Sequence, residues 1–170
     1  MLPPGDDPSR TGLIDGCARR SEKVGPPRFT ETGKRMNDSQ CTFCRIAADD
    51  PWNQVFYTDD QSVAFLDLAP ATRGHTLVIP REHSADIFSI PEAGFASLGH
   101  AVHRVAQRLE DRLHPDGLSV FQSNRAAGWQ DVFHLHVHLV PRYAGDSLTP
   151  PWTETAEQPH EIHRLAVFLR

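Results

Sequence analysis

Three histidines alternate with aliphatic residues in Phe133-His134-Leu135-His136-Val137-His138-Leu139-Val140-Pro141. Alternation of this kind is a strand pattern, because successive side chains on a strand point to opposite faces. Leu135, Val137 and Leu139 are therefore expected to face the core, with His134, His136 and His138 on the other face, about 6.5–7 Å apart from one to the next. Imidazole suits nucleophilic, acid–base and metal-ligand work near neutral pH. Two chemistries compete for these residues: a histidine nucleophile with histidine partners, or a metal held by two or three of the rings. A second set is Cys41-Thr42-Phe43-Cys44, whose thiols share a face if the segment is helical. Taken alone, that pair fits a redox dithiol or two buried cysteines equally well.

The surrounding chain must place these groups. Cys41 to Ala48 reads as a short helix stopped by Asp49-Asp50-Pro51. Residues 54–58 and 63–68 read as two strands joined by Asp59-Asp60-Gln61, and 75–79 as a third after Gly74. Ser89 and Glu92 have capping-box spacing, with Pro91 suited to a first helical turn. Phe95, Leu98, Val102, Val105, Leu109 and Leu113 then recur at helical spacing up to Pro115-Asp116-Gly117. His100 and His103 fall on the exposed side of that helix. Residues 118–122 form a fourth strand, the histidine run a fifth, and Ile162, Leu165, Ala166 and Leu169 a final helix. The expected architecture is α+β: a five-stranded, mostly antiparallel sheet with one long amphipathic helix and short terminal helices.

Residues 1–35, broken by proline and glycine and mixed in charge, read as a disordered extension. Residues 36–143 read as the folded domain, and 144–170 as a variable C-terminal segment carrying the last helix. With 170 residues, 39% of them hydrophobic, the chain is long enough for a core of its own. A net charge of −5 argues against a nucleic-acid partner, which usually meets a basic face. No apolar run approaches the length of a bilayer span, and no secretory signal stands at the N-terminus. Three cysteines make no disulfide framework, so the expected compartment is a reducing cytoplasm.

Asp67 in Phe65-Leu66-Asp67-Leu68, His75 in Gly74-His75-Thr76-Leu77, Asn124 before a loop of small residues, Gln130 and the three histidines occur in an order that resembles the histidine triad (HIT) family of nucleotide hydrolases and transferases. The resemblance covers residues 41–143. It implies that His136 is a nucleophile forming a covalent nucleotidyl-histidine, a two-step route through one phosphoryl transfer. It implies further that His138, Gln130 and Asn124 contact the phosphate side and that Asp67 accepts hydrogen bonds from the ribose. Phe43, Ile46, Phe65 and Leu68 would then sandwich a purine, although all four could also be plain core. His75 matches a buried histidine that supports the triad; as a residue it could equally be a structural strand end. In bacterial branches of the family, the positions of Cys41, Cys44, His83 and His134 hold a structural zinc, a closed Cys₂His₂ set. A homodimer is implied, and no organic cofactor. The leading activity is release of AMP or GMP from nucleoside phosphoramidates; the alternatives are a dinucleoside polyphosphate hydrolase or phosphorylase, or a purine nucleotide-binding module without turnover.

The chain departs from the family pattern at Trp129, which sits in the phosphate loop, and at Asp131, where the phosphoramidase branch has a serine. A protonated Asp131 would be a general acid, and an ionised one would repel the phosphate. Trp152 lies in the segment that sets substrate preference in the family.

Overall fold

A computed structural model describes residues 41–51, 53–150 and 157–170. The predicted N-terminal extension and Trp152 lie outside the described residues. The elements run α1 (Thr42–Asp49), β1 (Val55–Thr58), β2 (Ser62–Leu66), β3 (Thr76–Pro80), α2 (Glu92–Leu113), β4 (Gly117–Phe121), a 3₁₀ turn (Ala126–Gly128), β5 (Val137–Arg142) and α3 (Pro159–Phe168). The strands form one sheet in the order β1-β2-β3-β5-β4, every neighbouring pair antiparallel. The expected α+β architecture is what the chain adopts.

Both faces of the sheet are covered, so β2 and β3 read as near-continuous apolar runs and lack clean alternation. The buried stripe of α2, Leu98, Ala101, Val105 and Leu109, packs on Ala64, Val78, Leu135, Val137 and Leu139. On the opposite face, Phe43 and Ile46 of α1 pack on Val63, Phe65, Leu77 and Ile79. Leu135, Val137 and Leu139, which alternate with the histidines, thus enter the α2 core, which turns the histidines toward α1.

Local chemistry fixes the connections. Asp59 Oδ1 accepts from the backbone N–H groups of Gln61 and Ser62, which closes the β1–β2 turn. Asp50 ends α1 in the left-handed region, and its carboxylate accepts from the N–H groups of Gln54 and Val55. Gly74 has φ +88°, and a Cβ there would overlap Leu113, so the turn that delivers His75 requires glycine.

Two expectations need correction. The histidine run is not strand throughout: the ladder begins at Val137, so only His138 lies within β5, while His134 lies in a bend and His136 in the irregular stretch that leads to it. Leu135 N–H donates to Ser84 O there, a loop partner taking the place of a strand. The capping box does not form. Pro91 is the N-cap of α2, and Ser89 Oγ donates instead to Asp86 O. The expected final helix forms, and every residue of α3 is exposed.

Candidate active site and metal centre

Each histidine of the triad has its tautomer set by a neighbour. His136 Nδ1 lies 2.7 Å from the carbonyl oxygen of His134. A carbonyl can only accept, so Nδ1 carries the proton and Nε2 keeps its lone pair. His136 is buried, with Phe43 edge-on at a ring separation of 5.3 Å. At His75, the backbone N–H of Ala71 donates to Nδ1 over 3.1 Å. His75 therefore holds its proton on Nε2 and donates it to His138 Nδ1 at 3.0 Å. His138 in turn carries its proton on Nε2, as a donor. Asp67 Oδ2 is 3.6 Å from His75 Nδ1, an electrostatic contact.

Burial holds His138 and His75 neutral. It pushes His138 down to about 4, helped by His136 and His75 and opposed by Asp67 and Asp131. Burial also lowers His75, with Asp67 opposing. Phe121 of β4, paired in register with His138, stacks on its ring at 4.4 Å and 9°. Sequence reading assigned Phe121 no role. The signal was its place in a strand next to the histidine strand, but the register that pairs it with His138 is tertiary information.

A cleft of about 200 Å³ opens beside these groups. His136, His138, Asp67 and Asp131 line it together with all four predicted purine-contacting residues, Phe43, Ile46, Phe65 and Leu68. The two predicted loop amides do not line this cleft. Gln130 is buried; its Oε1 accepts from Arg125 N–H at 2.6 Å, and its Nε2 donates to Ala85 O and Val132 O. Both of its N–H groups are thereby used in holding the loop. Asn124 Oδ1 accepts from Ile87 N–H at 2.8 Å, and its Nδ2 donates to Gln122 Oε1. The clamped loop puts Arg125 at φ 61°, ψ 166° and Trp129 at φ 70°, ψ 19°.

The four residues expected to bind zinc come together. His134 Nδ1 is 3.5 Å from both Cys41 Sγ and Cys44 Sγ, and His83 Nδ1 is 3.3 Å from Cys44 Sγ. All four donor atoms lie within 4.8 Å of one another. A tetrahedron with Zn–S near 2.3 Å and Zn–N near 2.0–2.1 Å has edges of about 3.3–3.8 Å, so the donors fit that ion. His134 Nε2 lies 2.9 Å from Pro80 O, which puts the proton on Nε2 and aims the Nδ1 lone pair at the sulfurs. Burial, with His83 and His136 nearby, drives His134 down to about 4, keeping it a neutral ligand. A metal held by His134, His136 and His138 together does not fit this geometry, because His134 has Nδ1 at the cysteine sulfurs and Nε2 on Pro80 O.

The fold and the site thus place a cluster of two cysteines and two histidines, with the spacing of a metal-ligand set, beside a histidine-lined, aromatic-walled cleft. The HIT domain model matches residues 51–145, and the chain belongs to the HIT family. "Protein hit" of Bacillus subtilis is 34% identical over 129 residues, covering 74% of this chain and 89% of that protein. An Arabidopsis thaliana protein named adenylylsulfatase HINT3 is 28% identical over 164 residues, 95% of this chain and 79% of that one. A zinc-bound histidine triad protein from Mycobacterium smegmatis superposes with a TM-score of 0.61 at 35% identity, over 74% of this chain and 89% of that one.

Proposed function

We propose that the protein hydrolyses conjugates of purine nucleotides at the α-phosphorus, nucleoside phosphoramidates in particular, through a nucleotidyl-histidine on His136. The observation that carries this reading is the tautomer of His136: its Nδ1–H is committed to His134 O, so an Nε2 lone pair is available on a buried ring that lines the cleft. A pure binding module has no need of that arrangement.

In the first step Nε2 attacks phosphorus, the bond from phosphorus to the leaving group breaks, and the leaving group departs with its electron pair. The positive charge that develops on His136 is held through Nδ1–H by the His134 carbonyl. His138 Nε2–H supplies a hydrogen bond to a phosphate oxygen, and a fixed donor of this kind needs no reorganisation as charge builds up. Water then attacks phosphorus; its hydroxyl ends on the nucleotide, its proton on the departed amine, and His136 recovers its lone pair. Phe43, Ile46, Phe65 and Leu68 provide apolar walls for a purine, and Asp67 an acceptor for ribose hydroxyls. We assign Asn124 and Gln130 to shaping the loop. Cys41, Cys44, His83 and His134 would hold a structural zinc, which adds rigidity to the approach to His136 when bound. The purine nucleotide is the only partner invoked for the reaction.

The test is AMP release from adenosine 5′-phosphoramidate, beside diadenosine tri- and tetraphosphate, for wild type and His136→Ala. Turnover of the amide that disappears in the variant supports the reading. Binding of AMP with no turnover of any conjugate would leave a binding module in its place.

A further inference from the structure

Phe121 closes β4, and the register of the sheet sets it opposite His138. Opposed residues on neighbouring antiparallel strands put their side chains on one face, within contact of each other. The two rings lie flat on one another, 4.4 Å apart and 9° from parallel. The rings of His75 and His136 meet His138 at 35° and 66°, so among the described residues Phe121 is the one ring that lies flat on it. We infer that Phe121 is a positioning residue: its ring holds the plane of His138, so that the Nε2–H of that histidine stays aimed into the cleft. The inference rests on the proposed hydrolysis and adds a residue to it.

Two observations carry it. The first is geometric. The terminal torsion of a histidine is broad, so staggering alone does not fix the ring plane. His75 holds the Nδ1 corner of His138 over 3.0 Å. A hydrogen bond of that kind is directed along the in-plane lone pair and leaves rotation about its own axis open. Phe121 presses on the ring face, at right angles to that bond, and closes the remaining freedom. Together the two restraints fix where Nε2 points, and a donor fixed in advance is what charge developing on a phosphate requires.

The second observation is where Phe121 stands. It is 44% exposed, at the end of an edge strand, and belongs to neither apolar core. The buried clusters that hold α1 and α2 to the sheet are complete without it. Its ring contact is with His138, a residue of the cleft. Substitution at Phe121 therefore leaves both cores intact, and loss of function can be read apart from loss of fold.

The experiment compares Phe121→Leu, which keeps apolar cover without a flat face, with Phe121→Tyr, which keeps the face, both in the full chain. With adenosine 5′-phosphoramidate, Phe121→Leu should lose roughly tenfold in kcat while KM stays within about twofold of wild type. Phe121→Tyr should stay within about threefold of wild type in kcat, and all three proteins should melt within about 3 °C of one another. Combination with His75→Ala is diagnostic, because both groups act on one ring. Once either is gone, the second loss should add less than about threefold in kcat, whereas unconnected effects multiply. Imidazole ¹⁵N spectra give a readout outside turnover. His138 should show the Nε2–H tautomer alone in wild type and Phe121→Tyr, and a mixture in Phe121→Leu, where a turning ring loses the His75 bond part of the time. Equal kcat in Phe121→Leu and wild type, equal losses in the two variants, losses that multiply with His75→Ala, or an unchanged tautomer in Phe121→Leu would each overturn the assignment. Failure of the hydrolase reading has a separate signature, turnover that is absent or independent of His136, and the spectra then decide whether Phe121 holds the ring.

Discussion

His136 Nδ1–H donates across 2.7 Å to the carbonyl oxygen of His134, and the ring of that same His134 turns its Nδ1 to two cysteine sulfurs at 3.5 Å. One residue therefore touches two groups, its side chain the Cys₂His₂ cluster and its backbone the proposed nucleophile. Substitution of His136 should remove the chemistry and spare the metal centre. His136→Ala is expected to lose about three orders of magnitude or more in kcat while zinc content and AMP affinity stay near wild type. Rapid-quench turnover and metal analysis on the same preparation check both halves.

The converse substitution acts through stability. Cys44 is buried, and its sulfur meets both His83 and His134. Cys44→Ser should lower zinc content and reduce the melting temperature by about 10 °C or more, since a structural metal contributes directly to folding. Chelator should reproduce this slowly, with activity and fold lost together. Instant inhibition of a protein that still melts at the wild-type temperature would point to a catalytic metal instead.

His75 acts on His138, the ring it donates to at 3.0 Å. His75→Ala frees the tautomer and orientation of His138, and kcat should fall by roughly 10- to 100-fold with little change in KM. His75→Asn retains an N–H donor at that position and should recover part of the loss. Equal damage from both variants would reduce His75 to a packing residue.

Acid should destabilise the fold through His138. Its folded-state value is depressed to about 4, against an ordinary value near 6.5. Between those values the unfolded chain binds the proton and the native one does not, so this contribution falls as pH drops from about 6.5 toward 4. Above pH 6.5 both states are neutral and the contribution is flat. His75 and His134 are lowered in the same direction, so the measurement is a difference: urea midpoints of wild type and His138→Asn, with the variant less sensitive to acid.

What could be read from sequence followed the range of the interaction. The alternation around His136 placed Leu135, Val137 and Leu139 in the core, since period-two burial is local. The Cys₂His₂ group also emerged, because a resemblance carried the long-range pairing of Cys41 with His134. Phe121 was missed because its contact with His138 depends on β4 lying beside β5, a choice made by the whole sheet. The strand start at Val137 was missed for a related reason: Leu135 finds its backbone partner in the loop residue Ser84, outside any strand. Gln130 has the composition of a phosphate ligand, but three backbone groups claim its amide once the loop closes.

Asp131 puts a carboxylate in the same cleft as His136 and His138, where the phosphate of the proposed substrate would sit. Its Oδ1 accepts from Val132 N–H at 2.8 Å. At about 6 Å and an intermediate dielectric, repulsion of a bound phosphate amounts to roughly 1 kcal/mol. Asp131→Asn should therefore tighten AMP binding by about three- to tenfold at low salt, and less at high salt as screening grows. The same charge favours a cationic transition state on His136, so kcat for an amide should fall, by less than about tenfold. A general acid behaves differently. Were Asp131 the proton donor to the leaving amine, the asparagine variant would lose 10²-fold or more in kcat, a loss confined to substrates with strongly basic leaving groups. Comparing a basic alkyl amine with a weakly basic aryl amine in the two proteins distinguishes these cases, and a loss that is independent of leaving-group basicity is the expected result.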